Sequence, residues 1–232
     1  TYAVPMFLGT QLMYYRTDIF DELGLEPPTT LDELEEVLEK VNGNPLPAFA
    51  ARTAVGPTQN LLAWTPWLYN EGGGYYDSFD ESTGEYSGPR LDSPESVAAA
   101  ERFASDVQTY GPSGSLNWTV ADVTQSFLSG QVAVIQEGNP FGATINDPEQ
   151  STVAGKVGAF PIPEGSAGAY SSYVAHGWGV SSYSNNKEAS WLFEQWAADP
   201  STLRAATLDY SFAAPPVADI LDDPAFVKKY DY

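Results

Sequence analysis

The chain has no cysteine among its 232 residues, which excludes disulfides, thiolate catalysis and cysteine zinc sites while leaving its compartment open. Histidine occurs once, at His176, so a Ser-His-Asp hydrolase would have to use that residue, and no G-x-S-x-G elbow accompanies it. A glycine-rich phosphate loop with its lysine is also missing. No run approaches the roughly 18–20 apolar residues of a membrane-spanning helix, and the opening TYAVPMFLGT lacks the basic-then-apolar pattern of a signal peptide. Any export signal is therefore expected outside this sequence. Basic residues are scarce, 10 against 31 acidic ones, for a net charge of −21. A field of that sign repels phosphates, so nucleic acid and anionic lipid surfaces are poor partners. The acids read first as a solvated surface; steering of a cationic ligand is the alternative, with nothing to localise it.

What is present is an apolar fraction of 43%, enough for a sizeable core in one large domain or two small ones. Aromatics reach 13%, with six Trp and fourteen Tyr. Such rings pack cores, but they also stack on apolar faces of ligands while their polar atoms bond hydroxyls, which makes sugars attractive ligands.

Residues 3–15 read as an extended apolar segment in which Pro5 and Gly9 mark a bend or an edge strand. TDIFDELGL forms a short helix closed by Gly24. Thr30 to Glu33 is a capping box, and Leu31, Leu34, Val37, Leu38 and Val41 then form one apolar stripe of a helix. NPLPAFAA is a short buried strand, and LLAWTPWLYNE is a helix that Pro66 should kink or split. YYDSFDESTGEYSGPRLD suggests a surface hairpin; Asp77, Asp80 and Glu81 lie there without the spacing of a full calcium loop. Ser93-Pro94-Glu95 starts a helix running to Gly111, and another runs from Thr119 to Ser129. QVAVIQE is a strand, GNPFG opens a short helix through Ile145, and KVGAFPIP and YVAHGWGVSS are further strands. NKEASWLFEQWAAD is an amphipathic helix with Ala189, Leu192, Phe193 and Trp196 on one side, and STLRAATLDY continues helically after Pro200. Strands alternating with helices define an α/β protein.

In that order, LMYYRTDIFDELGLEPPTTLDELEEVLEKV, the tryptophan-rich helix into NEGGG, LDSPESVAAAERF, SFLSGQVAVIQEGNPFG, VGAFPIPEG and GWGVSSYSNNKEASWLFEQWAADP resemble the extracellular solute-binding proteins of ABC importers, in the branch that binds maltose, other sugars and polyols. The resemblance implies a periplasmic-binding-protein-like two-lobe fold of type II. This sequence would then be a fragment covering most of lobe two and part of lobe one, since the family carries further sequence before Tyr2 and after Tyr232. Implied divisions are a crossover at 1–9, lobe two at 10–172, a crossover and lobe-one helices at 173–210, and a crossover back at 211–232. In the family, GWGVSS returns the chain to the first lobe and the Ser/Asn turn caps the following helix, with Trp191 and Trp196 as helix-face core.

The resemblance places ligand binding at Gly9, Thr10 and Gln11 after the first crossover, Gln59 and Asn60 at the start of the tryptophan-rich helix, Asn139 and Phe141 after QVAVIQE, and His176, Gly177 and Trp178 at the return crossover. Trp64 is a further candidate for the cleft. Each has a plainer reading: helix capping for Asn60, core packing for Phe141 and Trp64, a local hydrogen bond for His176. Position 9 is glycine where the maltose-type proteins carry an acid. The implied function is capture of a sugar, oligosaccharide or polyol by a monomer that delivers it to the transmembrane subunits of an ABC permease, outside the cell or in the periplasm, with a lipid anchor on a cysteine beyond this sequence. No catalytic residue, cofactor, metal or nucleic acid is implied. The competing class is an exported glycoside hydrolase using two carboxylates, but Asp32, Glu33, Glu35, Glu95 and Asp122 fall in helix first turns and polar loops, where capping and solvation explain them.

Overall fold

The computed structural model describes residues 3–56, 58–212 and 214–231. Its organising element is β1, Val4–Arg16, a single strand of 13 residues. Along Gln11–Arg16 it runs antiparallel to β5 (Val134–Gly138) on one side and β6 (Val157–Pro161) on the other. The short β2, Phe49–Ala50, adds in parallel to β5. Along Val4–Thr10 the partner is instead β7, Tyr173–Trp178, antiparallel. β1 is thus central only over Gln11–Arg16, whereas the Val4–Thr10 half that holds Pro5 and Gly9 has β7 as its one strand partner and an irregularity between Pro5 and Phe7, in line with the edge or bend expected there. Pro5 lies near the strand start, opposite Gly177, and the register with β7 shifts between Pro5 and Phe7, the setting in which a strand tolerates proline.

Alternation along the strands divides the core into two layers, because successive side chains point to opposite faces. Met13, Phe49 and Val134 meet the layer of α1 (Thr17–Leu23), α2 (Leu31–Val41), α3 (Asn60–Asn70) and α4 (Pro94–Tyr110). Tyr14, Ala50 and Ile135 meet the layer of α5 (Val120–Leu128) and α6 (Gly142–Ile145). Local chemistry sets the helix boundaries. Gly24 closes α1 at φ 64°, a conformation costly for other residues. Thr30 and Glu33 close their reciprocal cap on α2, and all five residues of the α2 stripe are buried. At the start of α5 the Thr119 amide and hydroxyl both donate to Asp122 Oδ2, at 2.8 and 2.7 Å.

Pro66 does not break α3, which runs through it. The carbonyl that its ring leaves without an N–H is that of Leu62, four residues earlier, and the Ser172 hydroxyl donates to it at 3.2 Å. The hairpin β3 (Tyr76–Asp80) and β4 (Glu85–Pro89) lies on the surface. Its acids have local partners: Asp80 accepts from the Ser82 amide and hydroxyl, and Asp77 faces Arg90 at 3.6 Å.

After β7 come α7 (Lys187–Ala197), α8 (Pro200–Tyr210), α9 (Ala218–Leu221) and α10 (Pro224–Lys229), the last two without a sequence forecast. Two expectations fail at α7. Asn186 makes no side-chain cap; the turn is instead organised by Ser184, whose hydroxyl accepts the Asn186 amide at 3.1 Å. The aromatic face is not core: Trp191 is 48% and Trp196 61% exposed, and Leu192 and Phe193 are exposed with them. Periodicity identified an apolar face, but burial needs a covering surface, and none of the described residues covers this one.

Candidate functional site

The three segments expected as crossovers lie side by side. β1 pairs with β7, and the Leu8 amide donates to Ala214 O at 3.1 Å. Beside them is a cavity of about 200 Å³. One wall is β1, through Phe7, Gly9, Thr10 and Gln11; a second is β7 with the residues before it, through Ser172, Val174 and His176; a third is Arg52, Thr58 and Leu62; the fourth is the turn Gly138, Pro140 and Phe141.

Each wall is held by identifiable contacts. Gly9 has no Cβ because the Phe7 ring lies over it, 2.8 Å from where one would stand. The 138–141 turn is pinned to β1 twice: Asn139 Oδ1 accepts the Thr10 amide at 2.8 Å, and the Tyr14 hydroxyl donates toward the carbonyls of Gly138 and Asn139 at 3.3 and 3.2 Å. The Thr10 hydroxyl lies 3.1 Å from that of Ser171. His176 meets Phe7 edge-on, with ring centroids 5.2 Å apart. Under the cavity, Arg52 donates from Nε to Glu137 Oε1 at 2.6 Å, from Nη2 to Glu137 Oε2 at 2.5 Å and from Nη1 to Thr58 O at 2.6 Å. The Gly138 amide also donates to Glu137 Oε2 at 3.0 Å, and the guanidinium lies 5.7 Å from the centre of the Phe141 ring.

Of the sequence candidates, the structure brings Gly9, Thr10, Gln11, Phe141 and His176 onto this cavity, with Asn139 directly behind its turn. It separates the others. Gln59 uses its Oε1 to accept the Val120 amide at the start of α5. Asn60 and Trp64 line a different hollow of about 300 Å³ against α4, where Asn60 Oδ1 accepts the Gly56 amide at 3.4 Å. Gly177 and Trp178 continue β7 away from the cavity, and Trp178 meets Phe193 of α7 edge-on at 5.7 Å. Arg52, Glu137, Thr58 and Ser172 were not foreseen. Arg52 and Glu137 are 85 positions apart, and only the parallel pairing of β2 and β5 brings their strands together. An arginine and a glutamate at the ends of two apolar strands were the available signal.

A larger groove of about 720 Å³ lies between Ala143–Gln150 and the Asp209–Ser211 and Lys229–Tyr230 segments. It is polar and holds none of the sequence candidates, so the smaller cavity is the better site. The acids Asp32 and Glu71 also converge, but on Arg102, at 2.6 and 2.8 Å. Among the described residues no group of acidic or histidine side chains is placed to hold a metal ion, and no helix is long and apolar enough to cross a membrane.

Comparison with known proteins gives the class. The chain belongs to the bacterial extracellular solute-binding protein family, whose model matches residues 1–202. The fold is that of periplasmic sugar-binding proteins: maltose-bound T. maritima MalE3 superposes with a TM-score of 0.84 at 24% identity over 99% of this chain and 58% of that one. An ABC transporter solute-binding protein from Agrobacterium radiobacter, in complex with ribitol, matches with a TM-score of 0.82 at 26% identity over 99% and 57%. By sequence, a maltotriose-binding protein of Pyrococcus abyssi is 27% identical over 96% of this chain and 46% of its own length. A mannitol-binding protein of Pseudomonas aeruginosa is 27% identical over 91% and 44%. The chain therefore spans about half the length of the curated relatives it matches.

Proposed function

We propose that this chain forms one wall of the ligand cleft of an exported ABC-importer solute-binding protein, which captures a sugar, oligosaccharide or polyol as a monomer and delivers it to the transmembrane permease. The observation that carries this reading is the cavity beside the β1–β7 pair, a mostly apolar hollow with the Phe141 ring in its wall and a few polar groups, Thr10, Gln11, Arg52 and His176, converging on it, the combination that hydroxylated ligands require. Gly9, Thr10, Gln11, Phe141 and His176 are its contact residues, and Asn139 sets the turn. Relatives named for maltotriose, mannitol and ribitol binding support the same ligand class. The side-by-side placement of β1, its antiparallel partner β7 and the 214 region fits a hinge, with residues 10–172 as one lobe and the crossovers at 1–9, 173–178 and 210–214. Binding is favoured over hydrolysis because the carboxylate beneath the cavity, Glu137, has both oxygens occupied by Arg52 and the Gly138 amide, leaving neither free for acid or base work.

The test is calorimetric titration of the intact protein with maltose, maltotriose, ribitol and mannitol, with product analysis on the same samples. Saturable binding of one ligand without turnover is expected; hydrolysis, or no binding across the panel, overturns the reading.

A further inference from the structure

We infer that Arg52, held by Glu137, is a specificity-determining residue of this cavity and selects a neutral ligand carrying adjacent hydroxyl oxygens. The inference rests on the proposed carbohydrate-binding reading and sharpens it. A guanidinium has five N–H donors. Arg52 spends three, on Glu137 Oε1, Glu137 Oε2 and Thr58 O, which leaves two, one on each terminal nitrogen. Two donors on neighbouring nitrogens of one plane match a pair of oxygens on adjacent carbons.

Gln11 stands on the opposite wall of the same cavity, so an amide that both donates and accepts faces the space that Arg52 and the Phe141 ring also line.

Charge decides between the two kinds of paired oxygens that fit such a fork, a vicinal diol and a carboxylate. Arg52 is already neutralised by a carboxylate at 2.5–2.6 Å, and the chain as a whole carries −21. An acidic sugar would therefore add an uncompensated negative charge beside Glu137, whereas a diol accepts the same two hydrogen bonds at no electrostatic cost. The cavity's volume of about 200 Å³ is below the ~300–1,000 Å³ of sites for drug-sized ligands, in keeping with a polyol or one sugar unit of a longer ligand.

The experiment is titration of the intact protein with ribitol, mannitol, maltose and D-glucuronate, using the wild type, the paired variant R52Q/E137Q and Q11A. The paired variant keeps a hydrogen-bonding couple in place of the ion pair and so avoids an isolated buried charge; its thermal melting is recorded beside the wild type. Nitrogen-15 NMR of the Arg52 side chain in the wild type reports the contact without any mutation. Expected results are a neutral probe that binds the wild type, a ~10- to 100-fold loss in R52Q/E137Q and a loss of ~3- to 10-fold in Q11A, and a shift of the Arg52 Nη–H resonances on adding that probe. Unchanged affinity in a folded R52Q/E137Q variant, or no Arg52 shift at saturation, overturns the role of Arg52 while leaving carbohydrate binding intact. Tighter binding of glucuronate than of the neutral probes overturns the selection for neutral ligands. Failure of the wild type to bind any probe overturns the underlying reading and this inference together.

Discussion

β1 is one strand with two neighbourhoods. From Gln11 to Arg16 it lies between β5 and β6, with a helix layer against each face, and Met13 and Tyr14 are fully buried on opposite sides. From Val4 to Thr10 its strand partner is β7, and both strands there are half-buried or exposed apart from Gly9. The same contrast separates tryptophans. Trp67 on α3 is 0% exposed and donates from Nε1 to Gln136 Oε1 at 2.8 Å, while Trp196 on α7 is 61% exposed. A chain crossing from a two-sided core to a half-buried pair loses much of the packing that holds it, and the candidate cavity sits at that border.

The largest test of this contrast is Trp67→Ala. It opens a void among Phe49 and Phe103, whose rings lie 6.1 and 5.5 Å away, and strips Gln136 Oε1 of its donor. We expect ~4–5 kcal/mol of destabilisation in urea unfolding, a loss that unfolds a marginal domain.

Next in size is Asp106, buried on α4, where Oδ2 has no partner among the described residues. Burial pushes its carboxyl up to about 7, and Glu35 adds to the shift while Arg102 opposes it. With the folded pKa raised above the unfolded one, the native state holds the extra proton between them. Stability therefore falls as pH rises from about 4 to about 7 and levels off above. Asp106→Asn should stabilise the protein at pH 8 by ~2–3 kcal/mol and flatten that slope, as read from urea midpoints across the range. Glu33 and Asp122 act oppositely: hydrogen bonds from Thr29 and Thr119 hold their carboxyls below the usual range, so their contribution is lost on acidification.

A smaller effect probes the border itself. Ser172→Ala should cost ~1 kcal/mol by leaving the Leu62 carbonyl without a donor. In a Pro66→Ala background, where the residue-66 amide can reach that carbonyl, the same change should cost less. A double-mutant cycle checks the coupling; additive losses would dissociate Ser172 from the proline.

Legibility followed the same division. Thr30, Glu33 and the α2 stripe were readable because capping and helical periodicity act within a few residues. The strands of the central sheet were readable from their apolar runs, but the position of β1 between β5 and β6 depends on pairings more than a hundred residues distant. That Pro66 leaves α3 unsplit could not be read locally, because Ser172, which serves the Leu62 carbonyl, lies 110 positions from it. Gly9, Thr10, Gln11, Phe141 and His176 entered through a family resemblance, whereas Arg52 has no local signature and becomes a candidate only once Glu137 is beside it. Trp191 and Trp196 show the limit of periodicity, which reports that a face is apolar but not what covers it.

The smallest expected effect is the most discriminating for that last point. Trp196→Ala removes as much apolar surface as Trp67→Ala, yet its ring is mostly in water and its recorded ring contact is with Phe193 at 5.7 Å. Little transfer free energy and no cavity are at stake, so the change should stay within ~0.5 kcal/mol. Urea unfolding of the two alanine variants under one set of conditions compares them directly. A cost for Trp196→Ala approaching that for Trp67→Ala would mean the α7 face is covered in solution, and the division of the molecule into a two-sided and a one-sided region would then end before α7 rather than at Thr10.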